Sequence, residues 1–311
     1  MTEGKHGVAV LGVFVADVAF RAGRQPEIGE TIIGSGFKLG PGGKGSNQSV
    51  AAARVGADVT FISKIGKDEF GAIALATWKR EGVKVRVAET ADEPTGAAYI
   101  FVNDQTGDNA IIVVPGAGGS ITSADVDAVA DTIRRSAVFV TQLEQPADAA
   151  KRGLEIARAA GVVTVFNPAP AVPVDDAIYP LCDYVTPNEN EAGLLSGVPV
   201  KTVEDARRAG DVFLKKGAGA ALITLGELGA LLHTASLSTL IPAFNAGPVL
   251  ETTGAGDAFN GGFATAISRG ASPAEAVRFG CAVAGISVTR AGTAPSMPSL
   301  AEVEALLAKS G

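Results

Sequence analysis

Only two cysteines, Cys182 and Cys281, occur in 311 residues, far apart and outside any Cys-x-x-Cys spacing. That argues against a disulfide framework or a structural zinc site and favours a reducing compartment. Histidine is as scarce. His6 and His233 stand near neither a serine elbow nor a second metal ligand, so a hydrolase triad and a paired-histidine metal site find no support. The single tryptophan, Trp78, falls in a helical pattern and suits packing better than base stacking. Positive charge is in deficit, with 26 Lys and Arg against 33 Asp and Glu for a net charge of −7. A general binder of nucleic acid or anionic membranes is disfavoured, while a local basic pocket for a phosphate is not. Long apolar runs are missing too. The first, Val8 to Phe20, contains Asp17, is too short to span a bilayer and has no small-residue cleavage site after it. It reads as a buried strand entering a loop, and the expected location is cytoplasmic.

What the chain does contain is 47% apolar residues and 39 glycines, the latter mostly single or in short clusters. Such glycines mark turns and close backbone approaches. The length suits one large domain or two small ones. Val8–Phe14, Val59–Ile65, Ala137–Val140, Val162–Phe166 and Ala220–Thr224 read as buried strands. Helical patterns lie between them, over Ser46–Val55, Ser123–Arg135, Ala147–Ala160 and Thr202–Lys216, with Gly56, Gly161 and Gly217 as stops. Three more close the chain: Asp257–Arg269, Pro273–Arg290 and Ser299–Lys309. This alternation predicts an α/β fold with a mainly parallel sheet. Two stretches break it. Asp17–Gly40 has no helical period, and Thr95–Pro115 reads as a hairpin whose runs Ala97–Val102 and Ala110–Val114 flank a polar tip. The predicted division is an α/β body over 1–14, 46–94 and 116–311, with a β-rich appendage over 15–45 and 95–115.

The segment Glu251-Thr252-Thr253-Gly254-Ala255-Gly256-Asp257 carries most chemical information. Small residues allow a tight turn ahead of a helix, whose first amides have no internal partner and favour a phosphate. Asp257 at that turn is placed to accept a proton from an alcohol; read alone, the segment is equally a glycine-rich helix cap. Gly40-Pro41-Gly42-Gly43-Lys44-Gly45-Ser46-Asn47 matches Gly-x-Gly-x-x-Gly in spacing but follows no good strand, and Gly45 after Lys44 rules out a P-loop. It suits a polyhydroxylated ligand lying on backbone, or a plain loop into the Ser46 helix. Asn188-Glu189-Asn190-Glu191 offers carboxylates for a water-coordinated Mg²⁺ or a solvated helix start. Ile223-Thr224-Leu225-Gly226 ends a strand where nucleotides commonly bind, and Gln142-Leu143-Glu144 follows another strand.

Taken together, Gly42-Gly43-Lys44-Gly45-Ser46-Asn47 and Thr252-Thr253-Gly254-Ala255-Gly256-Asp257 resemble the paired signatures of the ribokinase-like carbohydrate kinase (PfkB) family. Phe166-Asn167-Pro168-Ala169-Pro170, Thr186–Glu191 and Ile223–Gly226 are similar to its segments as well. The resemblance implies a doubly wound α/β domain with a small β-sheet lid, ATP with Mg²⁺, and a homodimer through the lid. It implies sugar contacts at Asp17, Gly43, Lys44, Asn47 and Glu144, and ATP contacts at Asn188, Thr224, Gly226 and Gly229. Glu191 would act through the Mg²⁺ water shell; Gly254, Ala255 and Gly256 would form an anion hole, with Asp257 as base. A K⁺ site would involve Glu251, Thr253, Ser287, Arg290, Gly292 and Ser296. Two positions depart from the ribokinase pattern. Val15 replaces an asparagine, which opens the acceptor to other sugars or a nucleoside. Glu251 replaces an aspartate, and either still reaches K⁺, the expected outcome, or hydrogen-bonds locally. A sugar kinase is the leading reading; a nucleoside kinase and a non-catalytic sugar- or nucleotide-binding protein are the alternatives.

Overall fold

A computed structural model describes residues 5–309. In chain order the strands are β1 (Val8–Leu11), β2 (Val15–Ala22), β3 (Gly36–Gly42), β4 (Val59–Gly66), β5 (Lys84–Thr90), β6 (Thr95–Asn103), β7 (Asn109–Gly116), β8 (Val138–Thr141), β9 (Val163–Phe166), β10 (Tyr184–Val185), β11 (Ala220–Thr224), β12 (Ala230–His233) and β13 (Ser238–Ile241). The helices are α1 (Lys44–Arg54), α2 (Glu69–Arg80), α3 (Ser123–Ala128), α4 (Ala130–Arg135), α5 (Ala147–Ala159), α6 (Glu189–Ser196), α7 (Val203–Lys215), α8 (Ala255–Ser268), α9 (Pro273–Ser287) and α10 (Leu300–Lys309). Their ends follow local chemistry. Asn188 and Glu191, Thr202 and Asp205, and Ser272 and Glu275 form reciprocal capping boxes at α6, α7 and α9, each satisfying amides that a helix start leaves open.

Nine strands form one sheet in the order β13-β12-β11-β10-β9-β8-β1-β4-β5, parallel from β11 to β5 and antiparallel only at the β11-β12-β13 edge. β1 is buried throughout, as a central parallel strand covered on both faces must be. One core, with Leu154, Ala209 and Phe213, lies under α3 to α7; a second, with Trp78, Phe259, Phe263 and Val277, lies under α1, α2, α8 and α9. The sheet is therefore doubly wound. The chain runs outward from β1 to β4 and β5, then resumes on its other side at β8. That reversal leaves a crevice at the carboxyl ends of β1, β8, β9 and β11, the usual ligand site in such sheets.

The two rhythm-breaking stretches supply a separate four-stranded sheet, β3-β2-β6-β7. The hairpin expected there is β6–β7, paired antiparallel with Val102 opposite Asn109. Three features differ from expectation. The 123–135 segment is two helices, broken at Val129, whose φ of −115° leaves the helical basin. β5 was hidden by its charges, which alternate because it is an exposed sheet edge. The β12–β13 hairpin, at the other edge, stood in a stretch with no strand signal assigned. Among the described residues no helix is long and apolar enough to cross a membrane.

Candidate active site

The glycine-rich segment near the N-terminus links the small sheet to the large one. β3 ends at Gly42 and α1 starts at Lys44, two residues earlier than its pattern suggested. Gly43 makes the corner with φ +86°; a Cβ there would lie 2.5 Å from the Val13 carbonyl oxygen, so only glycine fits. The corner aims the first turn of α1 at the crevice. The Lys44 amide donates to Glu144 Oε2 at 2.7 Å, and Asn47 Nδ2 donates to Asp257 Oδ2 at 3.0 Å across 210 residues of sequence. Asp17, on β2, lies beside Gly42, its partner strand's last residue.

Asp257 sits in the first turn of α8, which packs against α1, and is 7% exposed. Burial pushes its carboxyl up; the Lys44 ammonium and hydrogen bonds from Asn47 and Gln48 pull the other way without cancelling it. Burial, then the charges of Asp257 and Glu251, push Asp17 up to about 6. Burial likewise pushes Glu144 up to about 7, opposed by Lys44 and aided by Asp257 and Asp17. For Lys44, burial disfavours the charge, yet Asp257, Glu144 and Glu191 outweigh it and hold the pKa above the usual lysine value. One cation thus faces several crowded carboxylates, a cluster in which hydrogen-bond acceptors and one ammonium converge.

The other end of the crevice holds the candidate nucleotide residues. Asn188 caps α6 and forms an isolated parallel bridge with Thr224, at the end of β11. Gly226 and Gly229 lie in the turn into β12, where the Leu225 amide donates to the Gly229 carbonyl at 2.8 Å. Glu191 caps the Asn188 amide through Oε2, and burial raises its pKa. Of the three amides at the start of α8, that of Ala255 is spent on the Thr252 carbonyl at 3.1 Å, which leaves those of Gly254 and Gly256.

Glu251, Thr253, Ser287, Arg290, Gly292 and Ser296 gather beside this turn. Glu251 Oε2 accepts the Gly292 amide at 2.8 Å, Gly254 lies against Thr293, and Thr293 donates to the Pro41 carbonyl at 3.1 Å. The Arg290 side chain points away, to Glu302. Sequence reasoning assigned no role to the buried amides behind Asp257. Gln48 Nε2 donates to Asp257 Oδ1 and to Asn167 Oδ1, each at 3.0 Å, and Gln142 Nε2 donates to Gln48 Oε1 at 2.7 Å. The one available signal was the run Ser46-Asn47-Gln48-Ser49, four polar residues all buried at the start of a helix.

The chain matches the model of the pfkB family carbohydrate kinases over residues 5–300. It is 39% identical over 296 residues to a ribokinase of Haemophilus influenzae, covering 95% of this chain and 96% of that one. A deoxyribokinase of Salmonella typhi is 34% identical over 295 residues, covering 94% and 96%. Among solved structures, Arabidopsis thaliana ribokinase complexed with ribose and ATP superposes with a TM-score of 0.91 at 29% identity, covering 97% and 99%.

Proposed function

The chain belongs to the pfkB family of carbohydrate kinases and is an ATP-dependent sugar kinase, and on that premise we propose that Asp257 activates a sugar hydroxymethyl group for attack on the γ-phosphoryl group of ATP. The observation that carries this is the 3.0 Å contact between Asn47 and Asp257, which joins the sugar end of the crevice to the phosphate end. Asp17, Glu144 and the Asn47 carbonyl accept hydrogen bonds from sugar hydroxyls, and Lys44 donates to them. Asn188, Thr224, Gly226 and Gly229 line the nucleotide. Phosphoryl transfer through a loose transition state asks for positioning and charge stabilisation more than for a strong base. The Gly254 and Gly256 amides and the α8 dipole supply the second. The small sheet acts as a lid whose closure keeps water from competing as acceptor.

Mg²⁺ fits the donor set. Among the described residues no three acidic, His or Cys side chains gather to hold a metal by themselves, which suits an ion that keeps its waters and takes most ligands from phosphate. Glu191 would hold it through water, and the ion would neutralise phosphate charge. For a monovalent cation the residues also fit. One Glu251 oxygen is engaged by Gly292, and its negative charge, which is felt at Asp17, would favour K⁺ beside the backbone oxygens of Thr253, Ser287, Arg290, Gly292 and Ser296, with the Lys38 ammonium near Gly292 as the competing cation. Replacing K⁺ by choline should lower kcat several-fold, and Glu251→Gln should erase the difference. An ion-independent wild-type rate would refute the site.

The acceptor is narrowed by Val15. It is two residues from Asp17 on β2, hence on the same face, and is 3% exposed in an apolar cluster with Val13, Ala98 and Ile100. An isopropyl wall beside the Asp17 carboxylate disfavours an extra hydroxyl and favours a deoxypentose or a base-substituted sugar. Val15→Asn should shift the kcat/KM ratio of D-ribose over 2-deoxy-D-ribose towards ribose by about 10-fold or more. An unchanged ratio would remove Val15 as a determinant. Adenosine and inosine in the same assay test the nucleoside reading.

A second copy fits the outer face of the lid. Strand alternation puts Phe20, Phe37, Leu39, Ile112 and Val114 on one face, all at least 39% exposed. Covering this face by the same face of another copy gives a homodimer. Sedimentation should find twice the chain mass, and Phe37→Asp should halve it; a monomeric wild type would contradict the pairing.

A further inference from the structure

Asp257 has two carboxylate oxygens, and a different amide reaches each. Asn47 Nδ2 lies 3.0 Å from Oδ2, and Gln48 Nε2 lies 3.0 Å from Oδ1. The two amides are held very differently. Gln48 is 1% exposed, and both its polar atoms are occupied inside the protein. Its Nε2 also donates to Asn167 Oδ1, and its Oε1 accepts Gln142 Nε2. Asn167 passes the chain on, donating Nδ2 to the Thr186 carbonyl at 2.8 Å.

The polarity of this chain is dictated from its end. A carboxylate only accepts, so Gln48 must turn its NH₂ to Asp257 and its carbonyl to Gln142, which must then donate. Inverting Gln48 would set its carbonyl against both the carboxylate and Asn167 Oδ1, and its donors against those of Gln142. Asn47 is the opposite case. It is 3% exposed, yet its Oδ1 is buried with no hydrogen-bond partner. A buried acceptor left unpaired is costly, and a substrate hydroxyl is the donor that would relieve it.

From this asymmetry we infer that Gln48 is a positioning residue that locks Asp257 Oδ1, and that Oδ2, beside Asn47, receives the proton of the acceptor hydroxyl. The inference rests on Asp257 being the proton acceptor and says which atom acts. When the sugar docks, a hydroxyl next to the reacting one donates to Asn47 Oδ1 and draws that amide from Oδ2, so the reacting hydroxyl can face Oδ2 while Gln48 stays in place. The sugar oxygen then bonds to the γ-phosphorus, the bond to the bridging oxygen breaks, and ADP leaves with that electron pair. The hydroxyl proton passes to Oδ2. A proton on Oδ1 would instead point at an N–H that cannot turn away.

The test is a carboxyl-carbon NMR titration of the full chain labelled with [¹³C]aspartate, with the Asp257 signal assigned by its loss in Asp257→Asn. In Gln48→Met, a donor that favours the ionised form is gone, so the Asp257 pKa should rise by about one unit. The acidic limb of kcat should move to higher pH with it, while KM for whichever of D-ribose and 2-deoxy-D-ribose is turned over barely changes. Gln142→Met touches no atom of Asp257 but frees Gln48 to rotate, so it should move the signal the same way by less. It also serves if Gln48→Met does not fold. A signal unmoved in the folded variants, with or without a loss of Tm, makes Gln48 merely structural and overturns the inference. Turnover surviving in Asp257→Asn would instead remove the base itself, a separate failure.

Discussion

Asp257→Asn should fold, bind ATP and lose turnover by about 10²–10⁴-fold, the range typical for removing a positioned general base. The argument starts from the cost of the native residue. Asp257 is 7% exposed, and its carboxyl is pushed up by burial even with Lys44, Asn47 and Gln48 turned towards it. Neutralising it should cost little stability, because its raised pKa marks the ionised form as costly here and the Lys44 ammonium keeps Glu144 and Glu191 as partners. The asparagine oxygen still accepts from one neighbouring amide, so the crevice keeps its shape and Tm should stay within a few degrees. What is lost is the acceptor for the hydroxyl proton. Binding of ATP, whose candidate contacts begin at Asn188 and Thr224 on other elements, should be unaffected in calorimetry. A variant that turns over near the wild-type rate would end the base assignment, and a variant that no longer binds ATP would show that Asp257 supports the nucleotide end instead.

Why the crevice could be anticipated while its backing could not is a matter of what backbone geometry demands. Gly43 has to be glycine because its φ is positive and the Val13 carbonyl is against it, so the sequence there is constrained and readable. The same holds for strand and helix alternation, because β1, β8 and β11 are buried on both faces and leave continuous apolar runs. β5 escapes that logic because an edge strand exposes charge, and the break at Val129 escapes it because no glycine or proline marks it. The amides of Gln48, Gln142 and Asn167 come from three separate elements, and each alone resembles a surface polar residue. Only their meeting behind Asp257 gives them meaning, and no local spacing encodes it. Asp17, Lys44, Asn47 and Glu144, which come from separate elements, converge with Asp257 in one charged cluster.

Gly256→Ala should leave the fold intact and yet cost about 10²-fold or more in kcat, in the manner of a lost oxyanion donor. The two glycines flanking Ala255 differ in a way that makes this test clean. Gly254 has φ +84°, and a Cβ there would meet Thr293 at 3.3 Å, so its replacement strains the backbone before any ligand arrives. Gly256 has no positive φ and no atom within 4 Å of where its Cβ would stand. In a helix, glycine to alanine is favourable by about 0.5–1 kcal/mol, so Tm should hold or rise. The space above Gly256 is open, at the N-terminal end of α8 where amides without helix partners meet the dipole. If that space belongs to the transferring phosphoryl group, a methyl there must push the phosphorus off the line between Asp257 and the nucleotide, and in-line transfer tolerates little displacement. Thermal melting together with kcat then separates the two roles a glycine can have. A Gly256→Ala enzyme with normal kcat would place the phosphoryl group elsewhere and leave the amide of Gly254 as its remaining partner in that turn.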